Sequence, residues 1–186
     1  MAGPGPPSAQ GLRQPGDLAP PEPAGRRRPR RPVTTYADSS ALLAVYVTEA
    51  FSTEARRQVA AAAQVPFTPL HDLELRNAFQ ALRGRGLITR GDLRALTGHL
   101  EADLHANRLR WTPLDLAAVF ADARDLAETH TARLLCRSLD VLHVAAARMI
   151  GCKRLISGDD RQLRLARALR LATVDIKKPR RRRRIA

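Results

Sequence analysis

From Val33 to Val174 the chain alternates short β-prone runs with longer segments whose apolar residues recur at helical spacing. That alternation decides what the chain can fold into. The runs cover residues 33–37, 65–68, 108–111, 154–157 and 171–174. A helix-length segment separates each run from the next, which rules out tight hairpins and predicts a parallel sheet with helices on its faces. Helix starts follow from capping chemistry, because a Ser or Thr hydroxyl can accept from an unpaired N–H of the first turn. Thr112-Pro113-Leu114-Asp115 puts a hydroxyl at the cap, proline at the first helical position and an acid three residues on, predicting a helix that runs to about Thr129. Thr89-Arg90-Gly91-Asp92 repeats the spacing. Thr68-Pro69 opens "LHDLELRNAFQALR", which Gly84 or Gly86 ends by supplying a positive φ.

At 186 residues the chain has room for one domain with a real core and too little for two ordinary ones. Nine of the thirteen prolines lie in residues 1–32 among glycines and arginines, which predicts a disordered Pro/Arg-rich extension ahead of a domain over residues 33–176. The net charge of +14 suggests a nucleic-acid binder until its distribution is counted: residues 1–32 carry +4 and the last ten, "KKPRRRRRIA", carry +7. Only +3 remains for the body. The basic tail over residues 177–186 could attract RNA through counterion release, but solvated disorder is the expectation. Cys136 and Cys152 show no paired metal or disulfide spacing, which predicts reduced thiols. No apolar run approaches the ~20 residues a spanning helix needs, and the N-terminus has no signal-like apolar stretch. A soluble cytoplasmic protein with no membrane association is expected.

Ligands gather at the carboxyl ends of the strands in an open parallel sheet, so acids just after a strand are the first site candidates. Asp38 follows "VTTYA", and Asp159 and Asp160 follow "RLIS" after one glycine. Two more acids sit inside helical segments among apolar neighbours, where a lone carboxylate would lose hydration at considerable cost. These are Glu74, within "LHDLELRNAF", and Asp140, which shares a helical face with His143, Val144 and Ala147. A hard divalent cation such as Mg²⁺ or Mn²⁺ is the natural partner for converging carboxylates that would otherwise repel one another.

In order and approximate spacing, "YADSSAL", "LELRNAF", "RSLDVLHVAAAR" and "LISGDDRQL" resemble the PIN-domain ribonucleases, particularly the VapC-type toxins of toxin–antitoxin pairs. The resemblance covers about residues 33–176, and "RSLDVLHVAAA" is its most specific segment. It implies an α/β fold, a three-layer α/β/α arrangement around a short, mainly parallel central sheet. It also implies a Mg²⁺- or Mn²⁺-dependent endoribonuclease, a hydrolase leaving 5′-phosphate and 3′-hydroxyl ends. Carried over by motif, Asp38, Glu74, Asp140 and Asp159 form the catalytic acids. Asp38, Asp140 and Asp159 then hold the metal, and Glu74 is either a ligand or the group that orients the attacking water. Ser157 takes the hydroxyl position before the last acid. Serine stands there for threonine and Gly158 for an aromatic residue, so a loosened turn could let Asp160 substitute for Asp159. An RNA substrate, a cognate antitoxin and a homodimer are the partners implied.

Two other functions fit parts of this pattern. One is a PIN scaffold that binds RNA or protein without cleaving, against which the intact carboxylates argue. The other is a different Mg²⁺-dependent phosphohydrolase of the haloacid dehalogenase type, which needs an aspartate where Ser40 stands. Asp92 and Asp115 are assigned to capping, and His143 to a core hydrogen bond. His71, His99, His105 and His130 show no zinc-like spacing with cysteine.

Overall fold

The structure, a computed structural model, describes residues 35–62 and 64–178. The expected extension over residues 1–32 and residues 179–186 of the tail lie outside the described residues. The chain runs β1 (Thr35–Ala37), α1 (Ser39–Tyr46), α2 (Ser52–Ala60), β2 (Val65–Phe67), α3 (Pro69–Gly84) and α4 (Arg90–His105). It continues through β3 (Leu109–Trp111), α5 (Leu116–Leu134), α6 (Ser138–Met149), β4 (Arg154–Ser157), α7 (Asp160–Ala168) and β5 (Ala172–Asp175). All five predicted strands are present among the described residues, each within a residue or two of its expected bounds.

Every strand pair is parallel. β4 lies between β1 and β5, with Ala37 opposite Ile156 and Ser157 opposite Asp175, while β2 and β3 form a separate pair. The sequence predicted a single sheet, and Pro66 explains the division. The Phe67 carbonyl accepts from Thr112 N–H at 2.8 Å, so Phe67 faces β3 and the alternate residue, Pro66, faces the β1 side without an N–H to donate. His71 of α3 fills part of the gap, with Nε2 2.9 Å from the Ala37 carbonyl oxygen. Its Nδ1 accepts from the Thr68 N–H at 3.0 Å, which puts the ring proton on Nε2.

Alternation along the central strands creates two cores. Tyr36 and Leu155 face α5, α6 and α7, whereas Ala37 and Ile156 face α1 through α4. Helices therefore cover both faces, giving the three-layer α/β/α architecture. Leu75 and Phe79 of α3 meet Leu96 and Leu100 of α4 in the second core, each burial contributing roughly 1.5–3 kcal/mol. A buried acid that the sequence did not single out joins α4 to α1: Asp103 accepts from Tyr46 Oη at 2.8 Å and pairs with Arg108 Nε at 2.7 Å. Cys136 and Cys152 are free and buried, and burial pushes the Cys152 thiol up to about 12.

The capping expectations divide. Thr89 and Asp92 form the reciprocal box at the start of α4, and Thr68-Pro69 opens α3 with His71 as the returning acceptor. Gly84 is the last residue of α3, and Gly86 has φ +69° just beyond it. The helix predicted from Thr112 instead begins at Leu116, capped by Asp115, whose carboxylate accepts from Ala118 N–H at 3.1 Å, and it extends to Leu134. The Thr112 hydroxyl donates to the Arg110 carbonyl at 2.9 Å rather than accepting from a first-turn N–H, so it does not cap the helix. No described helix is long and apolar enough to cross a membrane.

Candidate active site

β1 delivers Asp38 to the carboxyl end of the sheet, where its N–H donates to the Ile156 carbonyl at 2.9 Å. Its side chain then caps α1, with Oδ1 accepting from Ala41 N–H at 2.8 Å. Ser40 Oγ donates across both carboxylate oxygens, at 2.9 and 3.0 Å, and Ser157 Oγ donates to Oδ2 at 2.6 Å. Asp38 is almost fully buried, and that burial pushes its carboxyl above the ordinary aspartate value. Ser157, the charge of His143, Ala41 and Ser40 counter the rise without cancelling it.

Ser157 also connects the first acid to the last, because its Oγ accepts from Asp159 N–H at 2.9 Å. Asp159 caps α7 through Oδ1, which accepts from Arg161 N–H at 2.7 Å and Gln162 N–H at 3.4 Å. Burial raises its carboxyl, but these backbone bonds and the Arg161 side chain outweigh it and leave the group below its ordinary value. Asp140, third residue of α6, accepts from Arg137 N–H at 2.9 Å. The Arg161 guanidinium spans both acids, 3.4 Å from Asp159 Oδ2 and 4.0 Å from Asp140 Oδ2.

Asp160 stands apart from this arrangement. Its side chain is 68 % exposed at the first position of α7 and lies 3.5 Å from Lys178 Nζ, whereas that of Asp159 is 29 % exposed. Gly158 does not need its conformational freedom, since its φ is not positive. A Cβ there would meet Ile176 and the Lys177 stem at 3.4 Å. Those side chains occupy the space an aromatic residue would need.

Glu74 comes from the interior of α3, where no free helix-start N–H can hold it. Its Oε2 accepts from Ser39 Oγ at 2.6 Å and from His143 Nε2 at 2.5 Å. Burial pushes the Glu74 carboxyl up, but the bond and charge of His143, with Ser39, bring it below its ordinary value. His143 Nδ1 in turn meets the buried Tyr36 hydroxyl at 2.8 Å. The sequence predicts a core hydrogen bond for His143. It is buried as expected, yet its partner is one of the candidate acids.

Ser157 and Arg161 link Asp38, Asp159 and Asp140, while Glu74 is held separately by Ser39 and His143. Among the described residues no three carboxylate, imidazole or thiol groups are grouped closely enough to hold one metal ion. The donor chemistry nevertheless suits a hard divalent cation, since carboxylate and hydroxyl oxygens predominate. The Arg161 guanidinium already serves as a stand-in positive charge between Asp140 and Asp159. The roles of Ser39, Ser40 and Arg161 were missed from sequence. Ser40 carries a readable signal, since a hydroxyl just after an acid at a helix start can bond back to it, whereas Ser39 reaches Glu74 of another helix.

Comparison with known proteins gives a consistent picture. The family model described as "PIN domain" matches residues 35–168. The crystal structure of FitAcB from Neisseria gonorrhoeae is similar at 17 % identity with a TM-score of 0.59, covering 77 % of this chain and 99 % of that one. That of PAE2754 from Pyrobaculum aerophilum is similar at 17 % identity with a TM-score of 0.50, covering 80 % and 93 %. At such identity the structural likenesses speak for the fold. No curated protein sequence matches the chain.

Proposed function

We propose that this chain, which belongs to the PIN-domain family, is a metal-dependent endoribonuclease of the VapC toxin type. PIN domains are typically metal-dependent nucleases. The observation that carries the reading to these residues is the buried hydrogen-bonded chain Asp38–Ser157–Asp159 at the carboxyl edge of the sheet, with Arg161 linking Asp159 to Asp140. Asp38, Asp140 and Asp159 would hold one or two ions, Mg²⁺ or Mn²⁺. When bound, the ion supplies charge neutralisation at the phosphate and a water acidic enough to attack it.

The chain's own residues do the rest. Ser157 and Ser40 hold the Asp38 carboxylate in place at the carboxyl edge of the sheet, and the helix starts of α6 and α7 do the same for Asp140 and Asp159. Glu74 is the one candidate acid fixed only by side chains, which suits a group that accepts a proton from the attacking water. Ser40 uses its hydroxyl on Asp38, so the position where a dehalogenase-type phosphatase needs its second aspartate here supports the first acid instead.

A cognate antitoxin, a homodimer, an RNA substrate and a cytoplasmic setting belong to the same proposal and rest on the family resemblance. Purified protein incubated with RNA and Mn²⁺ or Mg²⁺ should cleave it, and EDTA should stop cleavage. Asp38→Asn and Asp140→Asn should abolish activity while circular dichroism shows both variants folded. Wild-type activity in either variant would overturn the site assignment. Copurification with the product of a neighbouring small reading frame tests the antitoxin, and light scattering tests the dimer.

A further inference from the structure

Three of the four candidate acids are fixed by helix-start N–H groups: Asp38 at α1, Asp140 at α6 and Asp159 at α7. Glu74 has no such anchor. Its direction is set by two donors from different elements, Ser39 at the start of α1 and His143 within α6, and both meet the same oxygen, Oε2. Among the described residues Oε1 accepts no hydrogen bond, and the Glu74 side chain remains 25 % exposed.

His143 is itself held at both nitrogens. An ionised carboxylate can only accept, so Nε2 donates to Glu74, and Nδ1 is left to pair with the Tyr36 hydroxyl. The imidazole also packs against the Tyr36 ring edge-on at 5.7 Å between centroids and against His71 at 5.2 Å. Tyr36 is fully buried in β1, two residues before Asp38. The ring therefore cannot turn without breaking bonds on both sides, and it ties the orientation of Glu74 to the strand that carries Asp38.

We propose that His143 is a positioning residue, which with Ser39 clamps Oε2 of Glu74 and so leaves Oε1 as the acceptor for the proton of the attacking water. The inference rests on the nuclease reading above. A free glutamate on an open helix face would sample several rotamers, whereas this one is aimed before substrate arrives. Misaiming a catalytic group by ~1 Å is enough to cost roughly 100-fold in rate.

The test compares His143→Leu, which removes the donor, with His143→Gln, whose amide nitrogen reaches about where Nε2 lies. Ser39→Ala is the partner variant. On a short RNA with Mn²⁺, His143→Leu should lower kcat roughly 100-fold with KM nearly unchanged. His143→Gln should recover most of that loss, and Ser39→Ala should lower kcat in the same sense with KM steady. In a Glu74→Gln background His143→Leu should add no further loss, because the residue acts through Glu74. Near-wild-type kcat in His143→Leu, equal defects in the Leu and Gln variants, or an undiminished loss in the Glu74→Gln background would each overturn the clamp. If His143→Leu does not fold, Ser39→Ala with full kcat is the refuting result. No RNA cleavage by the wild type with any divalent ion would remove the nuclease reading and the clamp together. An active wild type with an indifferent His143 would remove the clamp alone.

Discussion

Ser157→Ala is the substitution whose consequences follow most directly from the geometry. The hydroxyl is fully buried, donates to Asp38 Oδ2 at 2.6 Å, and accepts from Asp159 N–H at 2.9 Å. A bond to a buried charged group contributes about 1.5–3 kcal/mol, against about 1 kcal/mol for a neutral pair. Ser40 remains on Asp38, so the loss should fall near 2 kcal/mol, with roughly 1 kcal/mol more where Asp159 N–H goes unsatisfied. For a domain this size each kcal/mol moves Tm by about 3 °C, which predicts a drop of about 6–9 °C at pH 7. The charge dependence is the sharper part. In an Asp38→Asn background the same substitution should cost only about 1 kcal/mol for the neutral pair, beside the unchanged Asp159 share. Thermal and urea unfolding of the wild type, both single variants and the double variant close a double-mutant cycle. Equal costs of Ser157→Ala in the two backgrounds would show that the serine is not supporting an ionised Asp38.

Three further outcomes can be checked on purified protein. Burial raises the Asp38 carboxyl, so the folded state holds a proton where the unfolded chain has released it, and stability falls as pH rises from the unfolded value of about 3.9 through the higher folded one. Without added metal, Asp38→Asn should therefore unfold at higher temperature than wild type at pH 7, and the advantage should vanish below that window; a variant less stable at pH 7 would refute the sign. Arg108→Ala removes the 2.7 Å ion pair from the fully buried Asp103 carboxylate, which keeps the Tyr46 hydroxyl, and should cost about 1.5–3 kcal/mol in urea unfolding; a loss under 1 kcal/mol would show the pair is dispensable. Gly158→Ala places a Cβ in ordinary contact with Ile176 and should change stability by less than about 0.5 kcal/mol. Gly158→Phe must displace Ile176 and Lys177 and should cost about 1–3 kcal/mol by the same measurement.

What could be read from sequence was what depends on local chemistry. The strands are short apolar runs bounded by cap residues, and the α4 box needs only Thr89 and Asp92. What could not be read depends on direction. Thr112-Pro113 looks like a helix start until the Thr112 hydroxyl turns back to the Arg110 carbonyl, and the helix then waits for Asp115. The split between β1 and β2 turns on which edge Pro66 faces, a fact fixed only once β3 is in place. His71, isolated in sequence, becomes a buried bridge between the strands whose ring is kept neutral, since burial and then the charge of His143 hold its pKa well below the ordinary histidine value.

The candidate acids blur a distinction that sequence reading treats as a choice, since an acid at a helix start is usually weighed as either a cap or a catalytic group. Asp38 and Asp159 cap α1 and α7, and Asp140 takes the N3 position of α6. Capping is how they are aimed. The N–H groups fix each carboxylate, and the partial positive charge of each helix start offsets some of the repulsion among the acids. Alanine at these positions would remove the cap, worth about 0.5–2 kcal/mol each, together with the charge. Asparagine caps as well as aspartate and removes only the charge. Asp38→Asn and Asp159→Asn therefore report on the charge alone, while alanine variants would mix a weakened helix start with a lost charge. If alanine and asparagine variants unfolded at the same temperature, the caps would not be what holds these acids in place.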